Sequence, residues 1–368
     1  MRRITLHLYA ALKSTPYAIT KSNMTLSATI PQRMQAFVLK AYGDPELASL
    51  QDVPVPKASS RQLLVSVRAA GLNPVDFKMR KGELRVIQRY RLPAVLGNEL
   101  AGEVIACGEQ VRRFRVGDRV LARVAKERMG AFAQFAIVEE DHAAVMPASI
   151  DFATAAAIPL AGLTALQALR DELHVAKGQR IFISGGAGGV GSFAIQIAKH
   201  LGAHVATTAS PRGEALVREL GADAVIDYTQ QQPASVLSGF DGAFDLLGGD
   251  TLMQAFAIVR PGSTVVSVAG MPEPQTAAKD LGRGLGLQVL FWLASFSLRR
   301  RARQHGARYR FLFMHPSGED LSELTRLVDA GMVKVIVDSV YPFERIAEAM
   351  AKLESGRAKG KIVVTMPD

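Results

Sequence analysis

The chain of 368 residues is long enough for two domains with separate cores, and its 48% hydrophobic and 21% charged residues are those of a globular protein. It has no apolar run of about 18 residues that would cross a bilayer, and its single cysteine, Cys107, excludes an internal disulfide and a multi-thiolate zinc site. The formal charge of +10 gathers in two acid-free stretches, residues 1–33 and 299–310. The remainder is near neutrality, so no nucleic-acid partner is expected.

Residues 1–33 are basic and lack the long apolar segment of a secretory signal. They are expected to be a disordered extension outside the fold, either preceding a functional start at Met34 or serving as an organelle presequence; a structured arm is the third reading. A cytoplasmic protein is the default expectation, with organelle import through this segment left open. From Met34 to about residue 160, short alternating strands such as MQAFVLKAY, QLLVSVRAAG and ELAGEVIACG predict a compact β-rich domain. A helical stretch, Phe152–Leu173, follows. Strands at Arg180–Ser184, His204–Thr208, Ala224–Ile226, Ala243–Leu247 and Thr264–Ala269 then alternate with helices, which predicts α/β architecture with a doubly wound parallel sheet over 161–304. Residues 281–304, apolar and then strongly basic, read as one helix. A strand near Arg310–Met314, a helix Asp320–Ala330 and a strand Lys361–Thr365 complete the segment 305–368, expected to return to the first domain.

The stretch RIFISGGAGGVGSFAIQIAKHLG, Arg180 to Gly202, organises the chain. Gly186, Gly188 and Gly191 fit G-x-G-x-x-G between a strand and a helix. The first glycine permits the tight turn, the second admits a pyrophosphate, and the third lets helix and strand pack. The whole turn, with Ala187, Gly189 and Val190, is a dinucleotide cradle. An NAD-type site would carry an acid after the next strand, but here the sequence runs HVATTASPR. Ser210 can donate to a 2′-phosphate and Arg212 can neutralise it, so the cofactor expected is NADPH; an ordinary polar loop is the alternative. Tyr228 either flanks that phosphate or packs in the core. Gly248 in DLLGG, and Ala269 and Gly270 in VAG, end later strands, where parallel sheets bind ligands.

The ordered motifs GLNPVDFKMRKG, LPAVLGNELAGEVIACG, RVGDRV, IPLAGLTA, GGAGGVG and GRAKGKIVV resemble the medium-chain dehydrogenase/reductase superfamily. Within it, the chain is most similar to the zinc-independent quinone oxidoreductase branch and its alkenal/enone reductases. The resemblance implies a GroES-like catalytic domain, a Rossmann domain, a homodimer, and NADPH-dependent hydride delivery to an activated alkene or a quinone. Where zinc-dependent relatives place catalytic Cys and His, this chain has Asn73 and Asn98. Amides are poor zinc ligands, so no metal is expected.

The resemblance puts Asn73 beside the nicotinamide ribose and substrate, Thr164 against the nicotinamide, and Phe313 at the border of its pocket. A cap before Pro74 is the other role for Asn73. Asp76 and Lys78 either orient a water or the cofactor, or form a surface ion pair; Tyr90 is a candidate proton donor. The segment 281–304 is expected to be a lid or a subunit contact in preference to a peripheral membrane contact. A rival reading of the whole protein is a cofactor-binding protein acting on a membrane or RNA through the Arg299–Arg303 cluster.

Overall fold

The computed structural model describes residues 30–367, so the expectation for the N-terminal extension lies, up to residue 29, outside the described residues. The first half is β-rich. Its strands are β1 (Arg33–Leu39), β2 (Ala48–Pro54), β3 (Gln62–Leu72), β4 (Ala94–Val95), β5 (Glu99–Cys107), β6 (Arg119–Arg123), β7 (Phe135–Glu139) and β8 (Ala143–Val145), and helix α1 (Pro74–Lys81) leaves the end of β3. β2, β1 and β4 form one sheet. The long β3 is the spine of another, pairing antiparallel with β5 and β7. Apolar side chains of these strands, Leu63, Val65, Leu100 and Val120 among them, are fully buried in a common core.

The helical stretch expected over Phe152–Leu173 is built of α2 (Phe152–Ala156), α3 (Pro159–Leu166) and a π-helical turn over Gln167–Glu172. Pro159 has no N–H with which to continue α2 and instead opens α3. The alternation that follows is β9 (Arg180–Ile183), α4 (Gly189–His200), β10 (His204–Ala209), α5 (Pro211–Glu219), β11 (Ala224–Asp227), α6 (Pro233–Val236), β12 (Phe240–Asp245), α7 (Gly249–Ile258) and β13 (Val259–Ser267). Residues 281–304 form two helices, α8 (Leu285–Ala294) and α9 (Phe296–Gln304), before β14 (Arg308–Phe311). The six strands lie in the order β11-β10-β9-β12-β13-β14, all neighbours parallel. β9 has β10 on one side and β12 on the other, so the order reverses at β9, and the crevice beyond the ends of β9 and β12 is the place where such sheets bind ligands.

The single helix expected over 281–304 breaks at Ser295, whose hydroxyl donates to the Phe291 carbonyl at 2.6 Å and also accepts from Arg299. Such bonding to a preceding carbonyl bends helices. Phe291 alone of α8 is buried, while Leu285, Val289, Trp292 and Leu293 face outward at helical spacing.

The chain closes through α10 (Gly318–Asp329), β15 (Val337–Pro342), α11 (Ile346–Glu354) and β16 (Lys361–Thr365). β16 joins the β-rich sheet, antiparallel to β3 with Ile362 opposite Leu72. Just before it, the Gly360 N–H donates to the Ala187 carbonyl at 2.9 Å. The start of the last strand therefore touches the glycine turn and the end of β3 together.

Candidate active site

The glycine turn has a different reason for each small residue. A side chain at Gly186 would strike Thr207 on β10, and one at Gly191 would strike the backbone of Gly185 and Gly186. Those two positions need glycine for packing. At Gly188 the nearest atom to a Cβ would be the Gly185 carbonyl, 3.4 Å away, so the protein itself leaves room there. Gly188 caps α4, whose first N–H groups have no carbonyl of their own helix to bond. Room plus exposed donors fit a pyrophosphate.

Ser210 caps α5 without using its side chain on the helix, and a side chain placed at Gly213 would start 3.0 Å from that of Ala187, so this N-terminus abuts the cradle. Arg212 is exposed. Lys359, to which no role was given from sequence, arrives from the far end of the chain and donates to the Arg212 carbonyl at 2.5 Å. Two cations and a hydroxyl at a helix N-terminus suit a phosphate dianion. Tyr228 is 59% exposed, which removes the core reading of its ring.

Beyond β9, β12 and β13, the buried Asp245 carboxylate gathers the strand ends. It accepts from Ser184 at 3.1 Å, from Ser267 at 2.7 Å and from the Gly248 N–H at 3.0 Å. Burial nevertheless pushes its pKa up. Ser267 in turn accepts from the N–H groups of Ala269 and Gly270. A side chain at Gly248 would meet the Ala269 carbonyl, and one at Gly270 would meet Tyr309, so both glycines are required by the protein's own packing. The motif DLLGG was legible as a strand end; that its aspartate would tie three strands together was not.

At the head of α1 lies a buried polar network. The Asp76 carboxylate caps the Asn73 N–H at 2.7 Å and accepts from Asn98 Nδ2 at 2.6 Å. Asp76 is fully buried, not half of a surface pair with Lys78, and burial raises its pKa to about 6 despite those bonds. Lys78 is half-buried on the same helix. Asn73 Nδ2 donates to Glu99 Oε1 at 2.6 Å, and Asn73 Oδ1 accepts from the Lys361 ammonium. Lys361 also donates to Glu99 at 2.6 Å and to the Leu72 carbonyl at 2.8 Å. The other Glu99 oxygen accepts from the Leu160 N–H at 2.5 Å, fixing α3. One turn on, the buried Thr164 donates its hydroxyl to the Leu160 carbonyl at 2.7 Å.

Next to this network is a cavity of about 300 Å³ lined by Met79, Tyr90, Arg123, Lys126, Asp280 and Phe313 among others. Asn98 Nδ2 lies 3.7 Å from Met79 Sδ, which joins the network to the cavity wall. The Tyr90 hydroxyl is spent on the Lys126 carbonyl at 2.6 Å, and burial pushes its pKa further up. Both features tell against Tyr90 as the proton donor. Phe313 has its ring 4.7 Å from the Lys126 ammonium. The structure thus brings Asn73, Asp76 and Thr164 together around Glu99 and Lys361, with Tyr90 and Phe313 in the cavity alongside. Ser210, Arg212 and the glycine turn lie together as a separate group.

The β-rich part matches the alcohol dehydrogenase GroES-like domain over residues 59–148, and residues 220–364 match the zinc-binding dehydrogenase family. The chain is 35% identical to an NADPH-dependent alkenal/one oxidoreductase, chloroplastic, of Arabidopsis thaliana, over 93% of this chain and 82% of that protein. It is 34% identical to the mitochondrial NAD(P)H oxidoreductase RTN4IP1 of Danio rerio, over 94% of each. Among solved structures it resembles the quinone oxidoreductase of Coxiella burnetii, with a TM-score of 0.78 and 29% identity over 91% of this chain and all of that one. The chain belongs to the medium-chain dehydrogenase/reductase superfamily, in its quinone oxidoreductase branch.

Proposed function

We propose that this protein is an NADPH-dependent, zinc-independent oxidoreductase that reduces activated alkenes or quinones. The observation that carries the reading is the position of Lys361. Its stem lies 2.8 Å from where a Gly189 side chain would start, and its ammonium sits among Asn73, Glu99 and Leu72. One residue thereby joins the dinucleotide cradle to the head of α1.

The donor set there does not suit zinc. Asn73 Oδ1 and Glu99 Oε1 are already turned to a cation, the Lys361 ammonium, and Asn98 Nδ2 is turned to Asp76. Without a Lewis acid to activate an alcohol, the fitting partner is an acceptor that is already electrophilic, such as a conjugated enone or a quinone. Bound NADPH supplies the hydride. The glycine turn would hold the pyrophosphate, Ser210, Arg212 and Lys359 the 2′-phosphate, and Asn73 and Thr164 the nicotinamide end, while the cavity beside Met79 receives the acceptor.

Residues 34–160 and 161–304 form the two proposed domains, with 305–368 returning to the first. A homodimer is part of the proposal, and the outward face of α8 is the surface it would cover; light scattering of the purified chain reads this directly. Among the described residues no helix is long and apolar enough to cross a membrane. We place the protein in the cytoplasm; fractionation of cells expressing the full chain would instead find it in an organelle if residues 1–33 direct import. The function is tested by NADPH oxidation with a panel of enones and quinones, together with metal analysis. Turnover without stoichiometric zinc is expected, and turnover abolished by chelators would contradict the metal-free reading.

A further inference from the structure

Three cations line the cavity without a carboxylate partner among the described residues, Arg123 and Lys126 within its wall and the exposed Arg283 at its edge. Arg123, only 3% exposed, spends Nη1 on the carbonyls of Asn98 and Val124 and leaves Nε buried without a partner. Lys126, three residues on, donates to the Asp280 carbonyl at a long 3.3 Å and lies over the Phe313 ring. The Asp280 carboxylate is not its counterion, because Arg310 at 2.5 Å and the Phe313 N–H hold it. Tyr90 clamps the Lys126 backbone from the other side. A buried guanidinium beside a half-buried ammonium, neither paired with a carboxylate, is costly unless an anion, or an oxygen acquiring negative charge, completes the site.

Hydride transfer creates such an oxygen. When hydride reaches the β-carbon of an enone, the C=C electron pair moves toward the carbonyl, and the oxygen becomes an enolate. A quinone likewise gains negative charge on oxygen. Resting on the function proposed above, we infer that Lys126, supported by Arg123, binds the acceptor's carbonyl oxygen and donates the proton that completes its reduction. The new bonds are C–H from the hydride and O–H from Nζ. The amine left on Lys126 recovers its proton from water, and an enol product reverts to the ketone in solution. The acceptor gains two electrons and two hydrogens, and the cofactor loses the hydride.

The charged and titratable groups around Lys126 support the assignment. Arg123 and Glu127 flank it along its own segment; Tyr90, His142, Arg283 and His315 line the cavity from other elements, beside Asp280. Burial first, and then the Arg123 charge, lower the Lys126 pKa to about 8, against weaker opposition from Asp280 and Glu127. Burial likewise lowers the pKa of His142, so it is neutral in the range where Lys126 titrates. An acid of pKa near the working pH is an effective proton donor, and a fixed cation at a developing oxyanion acts without reorganisation.

The test uses the full chain, with Lys126→Met and Lys126→Arg, and 2-cyclohexenone as acceptor at saturating NADPH from pH 6 to 10. Wild-type kcat is expected to fall above about pH 8. Lys126→Met should lower kcat by about 10²–10³-fold and abolish that alkaline limb, with the NADPH Kd, read by nicotinamide fluorescence, within twofold. Lys126→Arg, which keeps the charge and cannot release its proton, should recover part of kcat and lack the limb near pH 8. A Lys126→Met enzyme with kcat within threefold of wild type and the same alkaline limb would overturn the inference and leave the reductase reading standing. A wild-type protein that oxidises NADPH with no enone or quinone would overturn both.

Discussion

Lys361 Nζ lies 2.6 Å from Glu99 Oε1, with both side chains almost wholly buried and 262 positions apart in the chain. Through this pair β16, β5, α1 and α3 meet at one point, and the cofactor cradle rests against the lysine stem. Removing one partner of such a pair strands a buried charge, which costs about 3–5 kcal/mol. Lys361→Met should therefore lower the unfolding free energy from denaturant titration by that amount, and the double variant Lys361→Met/Glu99→Gln should recover part of it. A strictly additive double variant would show that the two side chains are not coupled.

The glycines of the cradle should separate by function. Gly191→Ala forces a methyl into the Gly185 and Gly186 backbone and should destabilise the cofactor-free protein. Gly188→Ala meets nothing closer than 3.4 Å, so it should leave cofactor-free stability within about 1 kcal/mol and weaken NADPH binding. Thermal melts with and without NADPH read both effects; equal destabilisation by the two would contradict the assignment of Gly188 to the ligand.

Preference for NADPH over NADH should reside in Arg212 and Lys359. Each charge-assisted bond to a phosphate is worth about 1.5–3 kcal/mol. Arg212→Ala or Lys359→Ala should weaken NADPH by roughly 10- to 100-fold and leave NADH within about threefold. Calorimetric titration with both cofactors checks it, and an equal loss for each would reassign the pair to general structure.

Asp76 makes a pH-dependent contribution whose sign follows from its pKa, raised by burial from 3.8 to about 6. Between those values the folded protein holds a proton that the unfolded chain has lost. The stabilisation is complete below about pH 4 and is lost as pH rises through 6, a change of about 3 kcal/mol. Asp76→Asn should remove that slope from the difference in unfolding free energy. At pH 7 it should be at least as stable as wild type. The new amide can still accept from the Asn73 N–H and, with Asn98 turned over, can donate to Asn98 Oδ1, now buried without a partner. Parallel stability curves between pH 4 and 7 for the two proteins would refute the raised pKa.

Features set by neighbouring residues were legible in the sequence, and features set by distant ones were not. The G-x-G-x-x-G turn, the acid-free end of β10 and the strand and helix alternation are local patterns, and they led to the cradle, the cofactor and the parallel sheet. Asn73 and Asn98 likewise stood out against the family's zinc ligands. Lys361, Lys359 and Lys126 did not, because their meaning comes from what they meet: Lys361 lies 288 positions from Asn73 and Lys359 lies 147 from Arg212. Asp245 was hidden for the same reason, since its partners Ser184 and Ser267 sit on other strands. Helix 281–304 was overextended because a serine that bonds back to a carbonyl leaves no mark in hydrophobic periodicity.

The most direct test of the account is the rate of NADPH oxidation by the purified, metal-analysed full chain when presented with conjugated enones and quinones, measured beside NADH and beside simple alcohols with NADP+. Turnover with an enone or quinone is expected, with a higher kcat/KM for NADPH than for NADH, no alcohol oxidation and less than one-tenth equivalent of zinc per chain. Alcohol oxidation dependent on bound zinc, with no turnover of any activated acceptor, would contradict it.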